Sequence, residues 1–249
     1  SWPKPPQVRQ RMLACFAGLL ANAGRSGHQP ALESAQMVYE ARKTAAGLLG
    51  IADERNLVFT RGTTEGINLV MKGFLKPGDT VCVSPMEHNA VMRPLSRLAT
   101  ERSIHVQQLP GDPFGRIDLD HLDRASPPPR LVILAHASNV NGAVQDIAGI
   151  RKAFPESAIL VDAAQTAGIL PLHIQRDRID FLACSGHKGF LGPTGIGFCY
   201  LDPRHEVEPL VEGGTGSRSP DTIQPRNRPD RYEAGTLHLH GIAGLAGEL

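Results

Sequence analysis

The sequence has 249 residues, which is enough for one large α/β domain or two modest ones with a sizeable core. Its 26 basic and 25 acidic side chains nearly balance, so charge gives no reason to expect nucleic acid or an anionic membrane as a partner. The sequence contains no apolar run of membrane-spanning length, and its first residues lack the apolar stretch of a signal peptide. We therefore expect a cytoplasmic location.

The four cysteines lie far apart in the sequence, among apolar neighbours and without a Cys-x-x-Cys pair. This spacing favours buried, reduced thiols over zinc ligation or a disulfide framework. We expect no metal site, since His238 and His240 alternate as on one strand face but lack a third ligand. The cysteines are Cys15, Cys82, Cys184 and Cys199.

Short apolar segments alternate with helical stretches along most of the chain. The predicted strands are 57–60, 80–84, 104–109, 131–135, 159–161 and 195–201. The predicted helices are 7–21, 32–49, 64–74, 90–101, 118–125, 146–154 and one that begins at 241. This alternation predicts an α/β fold with a doubly wound, mainly parallel sheet flanked by helices, in which a short turn before 195–201 allows antiparallel placement. The stretch 212–231, rich in Gly, Pro, Arg and Ser, is predicted to be a long loop.

Polar side chains follow the first strand, where an open α/β sheet binds its ligands. The segment after 57–60 contains Gly62, Thr63, Thr64 and Glu65 and opens a helix. Glycine lets the backbone approach an anion, the two hydroxyls can donate to it, and the helix N-terminus favours negative charge. The segment suits a phosphate, although taken alone it is better explained as an ordinary helix N-terminus.

An acidic residue and a lysine follow two later strands. Asp162 ends an apolar run, where a carboxylate needs a positively charged or donor partner to stay ionised. Lys188 lies in a glycine-rich loop, with Ser185 and His187 as donors beside its amine. A Walker phosphate loop is excluded because its spacing is absent. A phosphate cradle, a buried acid for a ring nitrogen and an amine for an aldehyde together are what pyridoxal phosphate (PLP) requires.

Six segments in this order resemble the class V aminotransferase superfamily of fold-type I PLP enzymes, and most closely its cysteine desulfurase branch. The resemblance covers nearly the whole chain, and the combination of motifs is highly specific. The matching segments are 59–68, 86–91, 136–142, 161–166, 185–189 and 232–236. The resemblance implies a seven-stranded sheet, with 1–24 as a helical segment of the small domain, 25–249 as the PLP-binding large domain, and the small C-terminal domain missing.

The resemblance also implies the roles of individual residues. Lys188 would hold PLP as a Schiff base and move the proton at the substrate Cα, and His88 would stack on the ring and assist proton transfer. Asp162 would pair with the ring nitrogen, and Gln165 and Asn139 would bind the phenolic oxygen. The phosphate would be held by Thr63, Thr64, Ser185 and His187, and by Thr236 of a neighbouring subunit. A homodimer is therefore implied, with the 213–216 loop near its interface.

The chain departs from the desulfurase pattern at both ends, since the N-terminal strand motif that usually precedes residues 2–5 is missing as well as the C-terminal region. The nucleophilic cysteine and the substrate-binding arginine of that family follow the segment 232–236 at a distance, and this chain ends 13 residues after Thr236. None of its four cysteines matches the nucleophile, so we expect PLP binding with weak or no desulfuration of L-cysteine. The alternatives are a class V aminotransferase, a selenocysteine lyase, or a non-catalytic remnant of the fold, and an acceptor protein for sulfur is a further possible partner.

Overall fold

The computed structural model describes residues 3–18, 21–23, 27–122, 127–216 and 221–247. In these residues the helices are α1 (Pro6–Ala17), α2 (Gln29–Leu48), α3 (Thr63–Phe74), α4 (Asn89–Arg102), α5 (Ile147–Ala153), α6 (Ile174–Asp177) and α7 (Leu239–Ala246). The strands are β1 (Leu57–Thr60), β2 (Thr80–Val83), β3 (His105–Gln108), β4 (Leu131–Ala135), β5 (Ala158–Asp162), β6 (Phe181–Ser185) and β7 (Gly197–Leu201).

The described strands form one seven-stranded sheet in the order β1-β7-β6-β5-β4-β2-β3. Strands β2 to β6 run parallel to one another, whereas β7 runs antiparallel to both β1 and β6. The prediction of a doubly wound, mainly parallel sheet is confirmed, as is the antiparallel strand. From β2 the chain continues to β3 on one side of the β2–β4 pair, and from β4 it continues to β5 on the other side. A switch point therefore lies between the carboxyl ends of β2 and β4.

Both faces of the sheet are buried, because successive strand side chains enter opposite cores. In β5, Ile159 and Val161 face a core that includes α2, α5 and α7, while Ala158 and Leu160 face a core built with α3 and α4. Strand β3 differs because every one of its residues is exposed. Its polar residues and short length suit the outer edge of the sheet.

One predicted helix, 118–125, is wrong in its described part. Residues 118–122 form turns, because the Asp118 side chain accepts hydrogen bonds from the backbone N–H groups of Asp120 (3.2 Å) and His121 (3.3 Å). Such an Asx-type turn competes with a helix for the same backbone donors. The remainder, 123–125, lies outside the described residues.

Other elements differ from prediction mainly at their ends. Helix α1 stops at Ala17 rather than at residue 21, and α2 starts three residues early, where His28 Nδ1 accepts a hydrogen bond from the Ala31 N–H (3.4 Å). The described parts of the 212–231 segment contain no helix or strand, as predicted for a loop, and residues 217–220 lie outside the description. The predicted domain boundary at 24/25 also falls outside the described residues. Among the helices that are described, none is long and apolar enough to cross a membrane.

Candidate active site

A cavity of about 160 Å³ lies at the carboxyl ends of the strands, and nine of the ten predicted site residues line it. They lie at the ends of five different strands, so the sheet brings together residues that are far apart in the sequence. The nine residues are Thr63, Thr64, His88, Asn139, Asp162, Gln165, Ser185, His187 and Lys188. The tenth, Thr236, lines a different cavity of about 520 Å³, together with Arg61 and Tyr232.

The anion-binding part of the cavity is where β1 turns into α3. Gly62 adopts a φ of 147°, a conformation that L side chains rarely adopt, and it precedes the helix without a capping side chain. Thr63 Oγ1 lies 2.8 Å from Ser185 Oγ, and the Thr63 N–H donates to the same oxygen (3.1 Å). The first turn of α3 is thereby fixed to the end of β6, and two hydroxyls meet at a helix N-terminus.

Asp162 is the last residue of β5 and is buried at the cavity wall. Its Oδ1 accepts a hydrogen bond from the Ala164 N–H (2.9 Å). Burial raises the pKa of Asp162, while this hydrogen bond and the nearby positive charges of Lys188 and His88 act in the opposite direction. A protonated nitrogen placed against this carboxylate would favour its charged form.

Lys188 lies in the tight loop that follows β6 and is half-buried at the cavity. The loop closes on itself, because the Gly192 N–H donates to the Gly186 carbonyl (2.8 Å) and the Leu191 N–H donates to the Lys188 carbonyl (3.0 Å). Burial and the positive charges of Lys188 and Lys4 lower the pKa of His187. A neutral His187 ring therefore lies beside the lysine at neutral pH.

His88 is the N-cap of α4 and is exposed on the cavity wall. Its Nδ1 accepts a hydrogen bond from the Ala90 N–H (3.0 Å). In the neutral ring the proton is then on Nε2. This bond fixes the ring orientation at the start of the helix.

Asn139 and Gln165 are set by two further loops. Asn139 lies in a compact turn after β4, closed by hydrogen bonds from the Gly142 N–H to the Ser138 carbonyl (3.0 Å) and from the Val140 N–H to Ser138 Oγ (3.1 Å). Gln165 is half-buried in the turn after β5.

Three further features support the cavity, and the motif reasoning gave none of them a role. His136 Nδ1 lies 2.9 Å from Thr166 Oγ1, and both side chains are buried, so this contact ties the turn after β5 to the end of β4. Lys4 Nζ donates to the carbonyls of Gly192 (2.6 Å) and His187 (3.3 Å), which supports the lysine loop from outside. The third is Glu87, directly before His88.

The donor set of the cavity fits PLP. Hydroxyls and helix N–H groups on one side suit a phosphate, a buried carboxylate suits a ring nitrogen, and the Lys188 amine suits an aldehyde. No group of three or more His, Cys, Asp or Glu side chains that could hold a metal ion occurs among the residues described. In that part of the chain His238 Nδ1 instead contacts the Gly195 carbonyl (3.2 Å), and His240 stacks on Phe16.

Comparison with known proteins gives the family. The family profile described as Aminotransferase class-V matches residues 1–249. The chain belongs to the class V aminotransferase family. A probable cysteine desulfurase of Methanothermobacter thermautotrophicus is 36% identical, and the match covers 99% of this chain and 63% of the relative.

Solved structures agree with the sequence comparison. The apo cysteine desulfurase of Thermococcus onnurineus superposes with a TM-score of 0.91 at 33% identity, covering 98% of this chain and 63% of that one. The cysteine desulfurase CsdA of Escherichia coli gives a TM-score of 0.85 at 33% identity, covering 98% of this chain and 64% of that one. The class V assignment and the PLP-transferase fold predicted from the motifs are therefore confirmed. The chain spans less than two thirds of the length of these relatives.

Proposed function

We propose that this chain is the PLP-binding part of a cysteine desulfurase-like enzyme, in which Lys188 binds the cofactor covalently. The observation that supports this best is the meeting of Asp162, Lys188 and the Thr63–Ser185 pair in one cavity. Three different chemical requirements of PLP are thus met at one place. The cysteine desulfurase names of the relatives support the reaction class.

Each part of the cavity has its own task in this proposal. PLP, when bound, supplies an electron sink for charge that develops at the substrate Cα. Asp162 keeps the ring nitrogen protonated by charge pairing, and His88 covers the ring face. Lys188 would hold the cofactor and would move the proton at the substrate Cα. Gln165 and Asn139 orient the ring through its phenolic oxygen.

The phosphate is held by a separate group of donors in this proposal. Its binding place is the first turn of α3, where the donors are the hydroxyls of Thr63, Thr64 and Ser185 and the ring of His187. Thr236 would complete the phosphate site of a second copy. In support, its segment is held by the Gly235 N–H donating to the Gly214 carbonyl (2.8 Å), which places the 213–216 loop beside it.

We further propose that the whole protein converts L-cysteine to L-alanine and that the sulfur-accepting thiol is not among this chain's cysteines. Those cysteines do not line the described cavity, and burial raises the pKa of the Cys82 thiol to about 11. Burial also raises the pKa of Cys184 and of Cys199. Thiols in this condition are poor nucleophiles. The chain alone should therefore bind PLP with weak or no desulfuration.

The test is a titration of the purified chain with PLP, followed by its visible absorption. Wild type and a Lys152→Ala control, which removes an exposed lysine of α5, should give a bound-cofactor band that borohydride abolishes. Lys188→Ala should lack that band. Identical spectra for wild type, Lys188→Ala and free PLP would contradict the proposal. Sulfide and alanine assays with L-cysteine then address the sulfur step separately.

A further inference from the structure

Glu87 lies in the loop between β2 and α4, one residue before His88. This loop leaves the sheet at the switch point, where β2 and β4 separate at their carboxyl ends. Glu87 is partly exposed as a residue, but its carboxyl group is enclosed. The atom Oε2 is shielded from solvent and has no hydrogen-bond partner among the described residues.

The Glu87 carboxyl bridges the two separating strands. The β2–β4 ladder ends with the Ser84 N–H donating to the Ile133 carbonyl (3.0 Å). The next donor on β4, the Ala135 N–H, donates to Glu87 Oε1 instead (2.8 Å). The same Oε1 accepts the Ser84 hydroxyl at 2.5 Å. One carboxyl oxygen therefore continues the ladder where the backbone of β2 has turned away.

The bridged strand end belongs to the cavity wall. Ala135 lines the cavity and is the register partner of Asp162 on β5, so the Glu87 carboxyl lies one strand away from the Asp162 carboxyl. Burial raises the pKa of Glu87 to about 7, and the negative charge of Asp162 acts in the same direction, against the hydrogen bonds from Ser84 and Ala135. A buried carboxylate oxygen without a donor is costly, so the neutral acid is favoured.

We propose that Glu87 is a positioning residue of the cofactor-ring subsite, whose uncharged carboxyl holds β2 to β4 and thereby fixes His88 and Asp162 for their roles toward the ring. The proposal rests on the proposed PLP function. It assigns the two buried carboxyls different charge states below pH 7: Asp162 is ionised against the ring nitrogen, and Glu87 is uncharged. Asp162 on β5 is the ionisable group that faces Glu87 electrostatically from a packed element.

Three variants distinguish the effect of the Glu87 hydrogen bonds from the effect of the Glu87 charge. Glu87→Gln keeps an oxygen in the Oε1 position and is uncharged at every pH. Glu87→Ala removes the acceptor and leaves the Ala135 N–H and the Ser84 hydroxyl without it. Glu101→Gln, on the exposed end of α4, is the matched control for loss of one negative charge.

The first readout is equilibrium binding of PLP to each chain at pH 6.5. Glu87→Ala should weaken binding roughly tenfold, as expected when a buried donor loses its acceptor, and Glu87→Gln should stay within about threefold of wild type. The second readout is the Kd of PLP measured from about pH 6 to about pH 8.5. Because the uncharged carboxyl is the form that positions the ring subsite, wild type should bind PLP more weakly relative to Glu87→Gln as pH rises through 7, and Glu101→Gln should follow wild type.

PLP binding by Glu87→Ala that equals wild type, or a ratio of the wild-type Kd to the Glu87→Gln Kd that does not change with pH, would overturn the proposal. If Glu87→Ala does not fold, the pH dependence of that ratio alone decides it. A bridge that acts without regard to charge would be preserved by glutamine at every pH, so the ratio would then stay constant. Failure of the PLP function itself is recognised independently, because Lys188→Ala would then bind PLP like wild type.

Discussion

At the scale of single residues, the site depends on ionisable groups whose burial sets their charge. Asp162 ends β5 and Glu87 follows β2, with β4 between these two strands, yet the hydrogen bonds of the two acids differ. One oxygen of Glu87 is shielded from solvent and has no hydrogen-bond partner in the described part of the chain, while Asp162 lines the cavity that contains Lys188 and His88. Environment rather than residue type thus separates their roles.

The raised pKa of Glu87 predicts a pH-dependent stability of the chain without cofactor. Because the folded value of about 7 exceeds the ordinary 4.5, the folded state binds the extra proton. This stabilisation is complete below the unfolded pKa and is lost as pH rises through 7, with a slope of about 1.4 kcal/mol per pH unit. Between pH 5 and 8 wild type should lose about 2 to 3 kcal/mol relative to Glu87→Gln.

Urea unfolding of both chains across this pH range measures the difference. All other titrating groups are shared, so they cancel when the two curves are subtracted. Parallel curves would show that Glu87 is already ionised in the folded chain at pH 5.

Reasoning from the sequence found the residues of the cavity but not those behind them. Asp162 and Lys188 stand out because each follows a strand in a chain with simple β-α alternation. The Glu87 bridge depends on β4, which begins at Leu131, 44 residues after Glu87. It also depends on the separation of β2 from β4 at the end of their ladder. The His136–Thr166 contact likewise joins two loops through the fold. The local sequence pattern contains no signal for hydrogen-bond partners that are this far apart in the chain.

At the scale of elements, a buried ion pair binds the backbone of the edge strand β1. Arg42 of α2 donates to both carboxyl oxygens of Glu233 (2.7 and 2.8 Å) and to the Leu57 carbonyl (2.6 Å). Glu233 also accepts the Phe59 N–H (2.6 Å), and both charged side chains are 6% exposed. The pair therefore fixes the segment with Thr236 to β1 and α2.

Breaking this pair should be strongly destabilising. Arg42→Met leaves the Glu233 carboxylate buried without its cation and should cost about 3 to 5 kcal/mol in unfolding free energy. Arg42→Met combined with Glu233→Met should cost less than the sum of the two single changes. Arg97→Met, which breaks the exposed pair with Glu101, is the control and should cost at most about 1 kcal/mol.

Denaturant titration of the four variants measures these costs. Additive costs, or an Arg42→Met chain as stable as wild type, would show that the pair does not act as a unit.

The pattern of elements was largely predictable from the sequence, since β1 and the start of α3 were placed within one residue. The turn at 118–122 was not, because a single Asp side chain decided it.

At the scale of the whole molecule, the sheet converts a linear order of motifs into one cavity. Antiparallel β7 brings the end of β1 beside the end of β6, since Thr60 and Ser185 are both register partners of Gly197. The phosphate donors of α3 and the lysine loop thus meet across the sheet. A ligand that contacts these loops together should stabilise the complete fold rather than one element.

We therefore expect PLP to raise the unfolding free energy of the whole chain. Free PLP at 100 times its Kd should add about 2.7 kcal/mol by mass action. Ser185→Ala should reduce this gain at the same PLP concentration, since it removes the hydroxyl shared with Thr63. Thermal unfolding at several PLP concentrations measures the gain, and a melting temperature independent of PLP would contradict it.

The central claim is that Lys188 is the residue that binds PLP, and one measurement tests it most directly. The chain is incubated with PLP, reduced with borohydride, digested and mapped by mass spectrometry, beside Lys188→Ala and Lys152→Ala. We predict a single stoichiometric adduct on Lys188 in wild type and Lys152→Ala, and none in Lys188→Ala. An adduct spread over surface lysines, or one that persists in Lys188→Ala, would contradict the account.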